Sequence, residues 1–138
     1  MPQAPRKPLI WVESAKKDLM AFPPDVQDVM GRALLDAQYG GKHPDAKPLT
    51  GFGGAGVLEA VDDFDGDTYR TVYTVKLEGV VYVLHAFQKK SKTGRETPKQ
   101  EIDKVKARLK RAEDIHRDLR ARGQLPPKPP SKRGGPQA

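Results

Sequence analysis

Apolar positions change period several times along the chain, and each change marks an element. Residues 9–12 (Leu-Ile-Trp-Val) form a short apolar run, which predicts a first strand. Ser14 then suits the N-cap of a helix over Ala-Lys-Lys-Asp-Leu-Met-Ala-Phe. Pro23 and Pro24 end that helix. Because proline is tolerated in a helix's first turn, they also open a second one. Its apolar positions, Val26, Val29, Met30, Ala33, Leu34 and Ala37, keep the 3-and-4 spacing of one buried face, and Gly40 and Gly41 stop it. Residues 42–56 read as a long loop. Residues 57–61, 69–77 and 80–87 are rich in β-branched and aromatic side chains and predict three strands. Asp-Asp-Phe-Asp-Gly-Asp joins the first two and Glu78-Gly79 joins the last two, so an antiparallel meander is expected. Thr97-Pro98-Lys99-Gln100 then reads as a capping box, with Thr97 as N-cap. Ile102, Val105, Leu109 and Ala112 make a narrow apolar stripe, while Lys104, Lys106, Arg108, Lys110 and Arg111 take other faces. This last helix is expected to end between residues 112 and 123.

The whole chain is 138 residues, enough for one domain. The expected division is a flexible segment 1–8, a single domain 9–121 and a disordered basic tail 122–138, rich in Pro and Gly. The chain has no Cys, which excludes disulfides, a zinc ribbon and a thiol nucleophile and suits a reducing compartment. No run approaches the ~18 apolar residues needed to span a bilayer. The first residues lack the apolar stretch of a signal peptide, so a cytoplasmic protein without membrane contact is expected.

Charge changes the picture more by its placement than by its total of +7. Residues 9–88 carry 7 basic and 12 acidic side chains, whereas residues 89–111 carry 10 basic and 3 acidic. A mildly acidic body with one dense basic block points to a localised polyanion site. A solvated Lys-rich helix face would give the same pattern.

Several chemistries are excluded. There is no GxxxxGK[ST] phosphate loop. Gly-Phe-Gly-Gly-Ala-Gly is glycine-rich, but a strand rather than a helix follows it, so it reads as an ordinary loop. His43, His85 and His116 lack metal-ligand spacing, and no metal or cofactor is expected. Asp62, Asp63, Asp65 and Asp67 lack the downstream Glu and flanking helices of a calcium loop and read as a solvated hairpin.

What remains is Tyr69-Arg70-Thr71-Val72-Tyr73 on one strand and His85-Ala86-Phe87-Gln88-Lys89-Lys90-Ser91-Lys92 on its neighbour. Alternation places Arg70, Val72 and Thr74 on one sheet face. Arg70 offers a planar fork of donors for phosphate, and Lys89, Lys90 and Lys92 offer point charges nearby. His85 is the one group there that titrates near neutrality, hence a candidate acid or base. The structural alternatives are a hydrogen-bonded strand histidine, an Arg70 salt bridge to a turn Asp, and a Lys run guarding a sheet edge.

Tyr-Arg-Thr-Val-Tyr, followed by VVYVLHAFQKKSKTGRETPKQEIDKVKARL, resembles the phage-derived HigB-like branch of the RelE/ParE toxin superfamily, as does the preceding HPDAKPLTGFGGAGVLEAV. The likeness runs from about residue 9 to residue 112. It implies an α+β fold: an N-terminal strand and helical hairpin packed on a twisted antiparallel sheet, with a C-terminal helix. It also implies the toxin of a type II toxin–antitoxin pair, acting as a metal-independent mRNA interferase on the translating ribosome. A HigA-like helix-turn-helix antitoxin would be the partner.

Carried over by position, Arg70 matches the strand Arg that contacts the scissile phosphate, and Lys90 stands near a second basic residue. Lys89, Lys92, Arg95 and Lys99 would hold RNA, and His85 would share the acid–base work. Glu59 stands where some relatives have Lys, and the C-terminal catalytic Tyr has no equivalent, so the general base is unassigned. On this reading Arg70→Ala greatly reduces growth inhibition with the fold intact.

Two rival readings remain open. A ParE-like, non-catalytic toxin binding DNA gyrase would share the fold without needing a phosphate-holding cluster. A non-toxic nucleic-acid-binding module would lack an effect on growth. The four basic residues of the tail could also touch RNA phosphates.

Overall fold

The structure is a computed structural model and describes residues 6–53, 56–89 and 97–126. In chain order the elements are β1 (Leu9–Trp11), α1 (Ala15–Met20), α2 (Pro24–Gln38), β2 (Ala46–Pro48), β3 (Val57–Phe64), β4 (Asp67–Thr74), β5 (Val81–Lys89) and α3 (Lys99–Ala121). The fold is α+β, as expected. The strands form one five-stranded sheet in the order β1-β5-β4-β3-β2.

The three-strand meander is antiparallel, as expected, and the N-terminal strand joins it to make a mixed sheet. β1 lies parallel to β5, with Leu9 opposite Val81 and Trp11 opposite Val83, while the other pairs are antiparallel. Parallel pairing needs a long crossover, and α1 with α2 supplies it. The expected loop 42–56 also contains β2, an edge strand too short to show a period. The expected six-residue link between the first two meander strands shrinks to Asp65-Gly66. Both residues have positive φ, 52° and 86°, which fits a two-residue hairpin turn.

The sheet separates two cores. On one face α1, α2 and the link between them bury Leu19, Phe22, Val26, Met30 and Leu34 against Ala60, Tyr69, Tyr73, Val81 and Val83. On the other, Val105 and Ala112 of α3 pack with Val57, Val72, Val80, Tyr82 and Leu84. Leu125, beyond the expected domain end at 121, is partly buried against this second core. At these burial levels a Leu or Val side chain contributes about 1.5–3 kcal/mol.

One irregularity aims the site. The register skips Leu84, because Val72 pairs with His85 and Tyr73 with Val83. This bulge turns Leu84 and His85 to the same face, so Leu84 joins the α3 core and His85 meets α3 side chains.

Candidate functional site

Between the edge strand β2 and the first turns of α3 lies a groove of about 550 Å³. Lys47, Pro48, Leu49 and Thr50 form one wall, Lys99 and Ile102 the other, and Glu59 and Thr97 the floor. The strand period explains the floor. Glu59 and Arg70 occupy adjacent strands on the α3 face, one step apart in the register that pairs Glu59 with Val72 and Val61 with Arg70.

Arg70 is only 4% exposed and Glu59 2%. The Arg70 guanidinium donates to Glu59 Oε2 at 2.9 Å and to Thr97 Oγ1 at 3.1 Å. Thr97 Oγ1 in turn donates to Glu59 Oε2. Two opposite charges therefore meet out of water, joined by a hydroxyl from the segment that leads into α3. Such a pair gains little from its attraction alone, but losing one member leaves a buried charge uncompensated.

These contacts revise three expectations. Arg70 does stand on the α3 face of the sheet, but as half of a buried ion pair rather than as an open fork for phosphate. Its partner is a neighbouring-strand carboxylate, not a turn Asp. Thr97 is not an N-cap: Pro98 takes that position, no side chain caps the helix, and the Thr97 hydroxyl is spent on Glu59.

His85 is also more engaged than expected. It is 3% exposed and stacks on Phe87 with ring centroids 4.9 Å apart. Its Nε2 lies 2.6 Å from Glu101 Oε1, and its Nδ1 lies 3.2 Å from an Arg108 guanidinium nitrogen. Arg can only donate, so Nδ1 accepts and the ring proton sits on Nε2, donated to Glu101. Burial lowers the imidazole below its ordinary value; the Glu101 hydrogen bond opposes this and the Arg108 charge adds to it. With both nitrogens engaged, His85 has no ring nitrogen to offer a substrate and acts as a tie between sheet and helix. Arg108 completes the tie by donating to Leu84 O at 3.1 Å and to Ser14 Oγ at 3.2 Å.

The remaining expected residues separate. Lys99 stands at the groove, 86% exposed, 3.5 Å from Asp103. Lys89 ends β5 opposite Thr68, half-buried. Lys90, Lys92 and Arg95 lie outside the described residues. The sequence offers Glu59 without a role, Thr97 only as a helix cap and Arg108 only as a cation off the apolar stripe, and it does not point to Lys47 or Glu101. Glu59 carried one usable signal, a charged residue at an inward position of a strand flanked by apolar neighbours. Among the described residues, no group of three His, Cys, Asp or Glu side chains could hold a metal ion, and no helix is long and apolar enough to cross a membrane.

No curated protein sequence matches the chain. A chain in the crystal structure of the toxin–antitoxin complex RelBE2 from Mycobacterium tuberculosis is similar at 22% identity and TM-score 0.42, over 62% of this chain and 100% of that one. The profile of the family described as phage derived protein Gp49-like (DUF891) matches residues 17–110, which include every residue lining the groove. With more than half its length matched, the chain belongs to the phage-derived Gp49-like family.

Proposed function

We propose that the protein is the toxin of a type II toxin–antitoxin pair and that it cleaves mRNA in the groove between β2 and α3. Membership in the Gp49-like family supports the toxin reading. The observation that carries the chemistry is a fixed carboxylate at the bottom of a cation-walled groove. Glu59 forms the floor, and Lys47 and Lys99 stand on opposite walls.

The reaction is transesterification. Glu59 takes the proton of a ribose 2′-hydroxyl as the oxygen attacks the adjacent phosphorus. The bond from phosphorus to the 5′-oxygen breaks, leaving a 2′,3′-cyclic phosphate and a 5′-hydroxyl that acquires its proton from solvent. Lys47 and Lys99 offset the charge that grows on the phosphoryl oxygens. Arg70 holds the Glu59 carboxylate in place and adds positive charge beneath it. Lys90, placed by sequence just after β5, is the cation assigned to the leaving oxygen. Lys89, Lys92 and Arg95 extend the same basic stretch and hold the backbone on either side. The translating ribosome presents the message, and a HigA-like helix-turn-helix antitoxin neutralises the toxin.

Inducible expression tests this reading. The wild-type chain should arrest growth and create new mRNA 5′ ends. Glu59→Gln keeps the size of the side chain and one acceptor oxygen for Arg70 and Thr97. It removes the charge that compensates Arg70, so circular dichroism and a urea midpoint verify its fold first. The substitution should lower cleavage by about 10²-fold or more, the usual worth of a positioned base. Growth arrest with DNA damage and intact messages would replace this reading by the gyrase-binding one.

A further inference from the structure

The cations of α3 are sorted between its two flanks. At 3.6 residues per turn, Lys99, Lys106, Lys110 and Arg117 fall within about 40° of one another around the helix. They form a file about 27 Å long from first to last. Lys104 and Arg111 fall on the opposite flank, beside Arg108. Contacts fix which flank faces where. The first file begins at the groove, because Lys99 and Ile102 line it. Farther along, Glu113 on the same flank reaches Lys76, just past β4, at 3.6 Å. The opposite flank is tied to Ser14 and Leu84 through Arg108.

Lys106 and Lys110 sit in the middle of the file, both exposed, and neither has an ion-pair partner among the described residues. The file's ends are partly neutralised, Lys99 by Asp103 at 3.5 Å and Arg117 by Asp114 at 3.0 Å. A cleft that needs only to seat one scissile phosphate has no use for charge two to three turns away. A linear file of cations that starts at its mouth suits a chain of phosphates leaving it.

We infer that the Lys106–Lys110 flank of α3 is a backbone-binding track, along which an RNA strand seated in the groove continues. This rests on the RNA-cleaving reading and adds the path of the substrate. The track reads no sequence: point charges on flexible stems touch phosphates and leave the bases free.

The test is a salt titration of binding to a 2′-O-methyl oligoribonucleotide that is longer than the groove and cannot be cleaved. On a single strand, each phosphate that a cation no longer neutralises lowers the slope of log affinity against log salt by about 0.7. Lys106→Glu/Lys110→Glu should therefore lower the slope by about 1.4 and weaken binding at least about tenfold at low salt. The gentler Lys106→Gln/Lys110→Gln should give the same slope change, and circular dichroism verifies the helix in both. Lys104→Glu/Arg111→Glu makes the same change in net charge on the other flank and should leave the slope near that of the wild type.

Equal losses from the two flanks would overturn the track in favour of diffuse charge, and no loss from the first flank would overturn it outright. A wild-type slope combined with weaker binding of poly-glutamate would overturn it in favour of an acidic protein partner. Binding and cleavage fail separately here. Intact cleavage by Glu59→Gln refutes the nuclease site, whereas an unchanged slope in the Lys106/Lys110 variants refutes only the track.

Discussion

Glu59, on the groove floor, and Arg70 compensate each other, so neither can be removed alone without stranding a charge. Arg70→Ala should lower stability by about 3–5 kcal/mol, seen as a drop in the urea midpoint. Loss of toxicity in that variant therefore says little about chemistry, contrary to the expectation of an intact fold. Glu59→Leu/Arg70→Met should recover most of the lost stability while remaining inactive. A single Arg70→Ala as stable as the wild type would contradict the buried pair. That Arg70 faces α3 is legible from strand alternation, but its partner is not. The partner depends on register with a strand eleven residues away and on a hydroxyl supplied from residue 97.

The two buried histidines set a pH response at the same scale. Burial holds both His85 and His116 below the ordinary imidazole value, with Arg108 and Lys104 adding to it at the first and Arg120 at the second. Glu101 opposes the shift at His85, and Glu78 opposes it at His116. The folded chain thus binds fewer protons than the unfolded one. The stability this brings is complete above about pH 6.5 and is lost as pH falls through that value toward the lower folded ones. The urea midpoint should decline between about pH 7.5 and about pH 5.5, and His116→Gln should flatten part of the decline. A midpoint that rose over this interval would contradict the assignment.

At the scale of elements, the parts that the sequence pattern missed are those set by pairing rather than by period. β2 has three residues and exists because β3 offers it an edge. The bulge at Leu84 leaves no mark in a run of apolar residues, yet it turns His85 toward Glu101. The capping-box pattern at residues 97–100 is a local signal overridden by a buried acceptor, Glu59. The helices and the three-strand meander were legible because their apolar periods are long and uninterrupted.

Gly56, at the entry to β3, can be tested directly. It has φ of +79°, and a Cβ there would meet Lys76 backbone N at 3.1 Å and Cα at 3.2 Å. Gly56→Ala should lose about 1–3 kcal/mol by the same urea assay. No loss would mean that this approach is looser than the structure shows.

For the whole molecule, the sheet divides labour. One face is covered by α1 and α2 around an apolar core, while the other carries the ion pair, the His85 tie and the groove beside α3. Among the described residues Lys47 and Lys99 line the groove, and Lys106 and Lys110 continue from Lys99 along one flank of α3. The α+β architecture and the concentration of basic residues in 89–111 could be read from the chain. The enclosure of Arg70 could not, since burial is a property of the assembled layers.

The decisive experiment is end-mapping of mRNA on translating ribosomes, treated with equal amounts of folded wild-type chain and Glu59→Gln in the presence of a chelator. The wild type should leave 2′,3′-cyclic phosphate ends, and Glu59→Gln should reduce them by about 10²-fold or more. Undiminished cyclic ends with the variant would contradict the assignment of the groove as the cutting site.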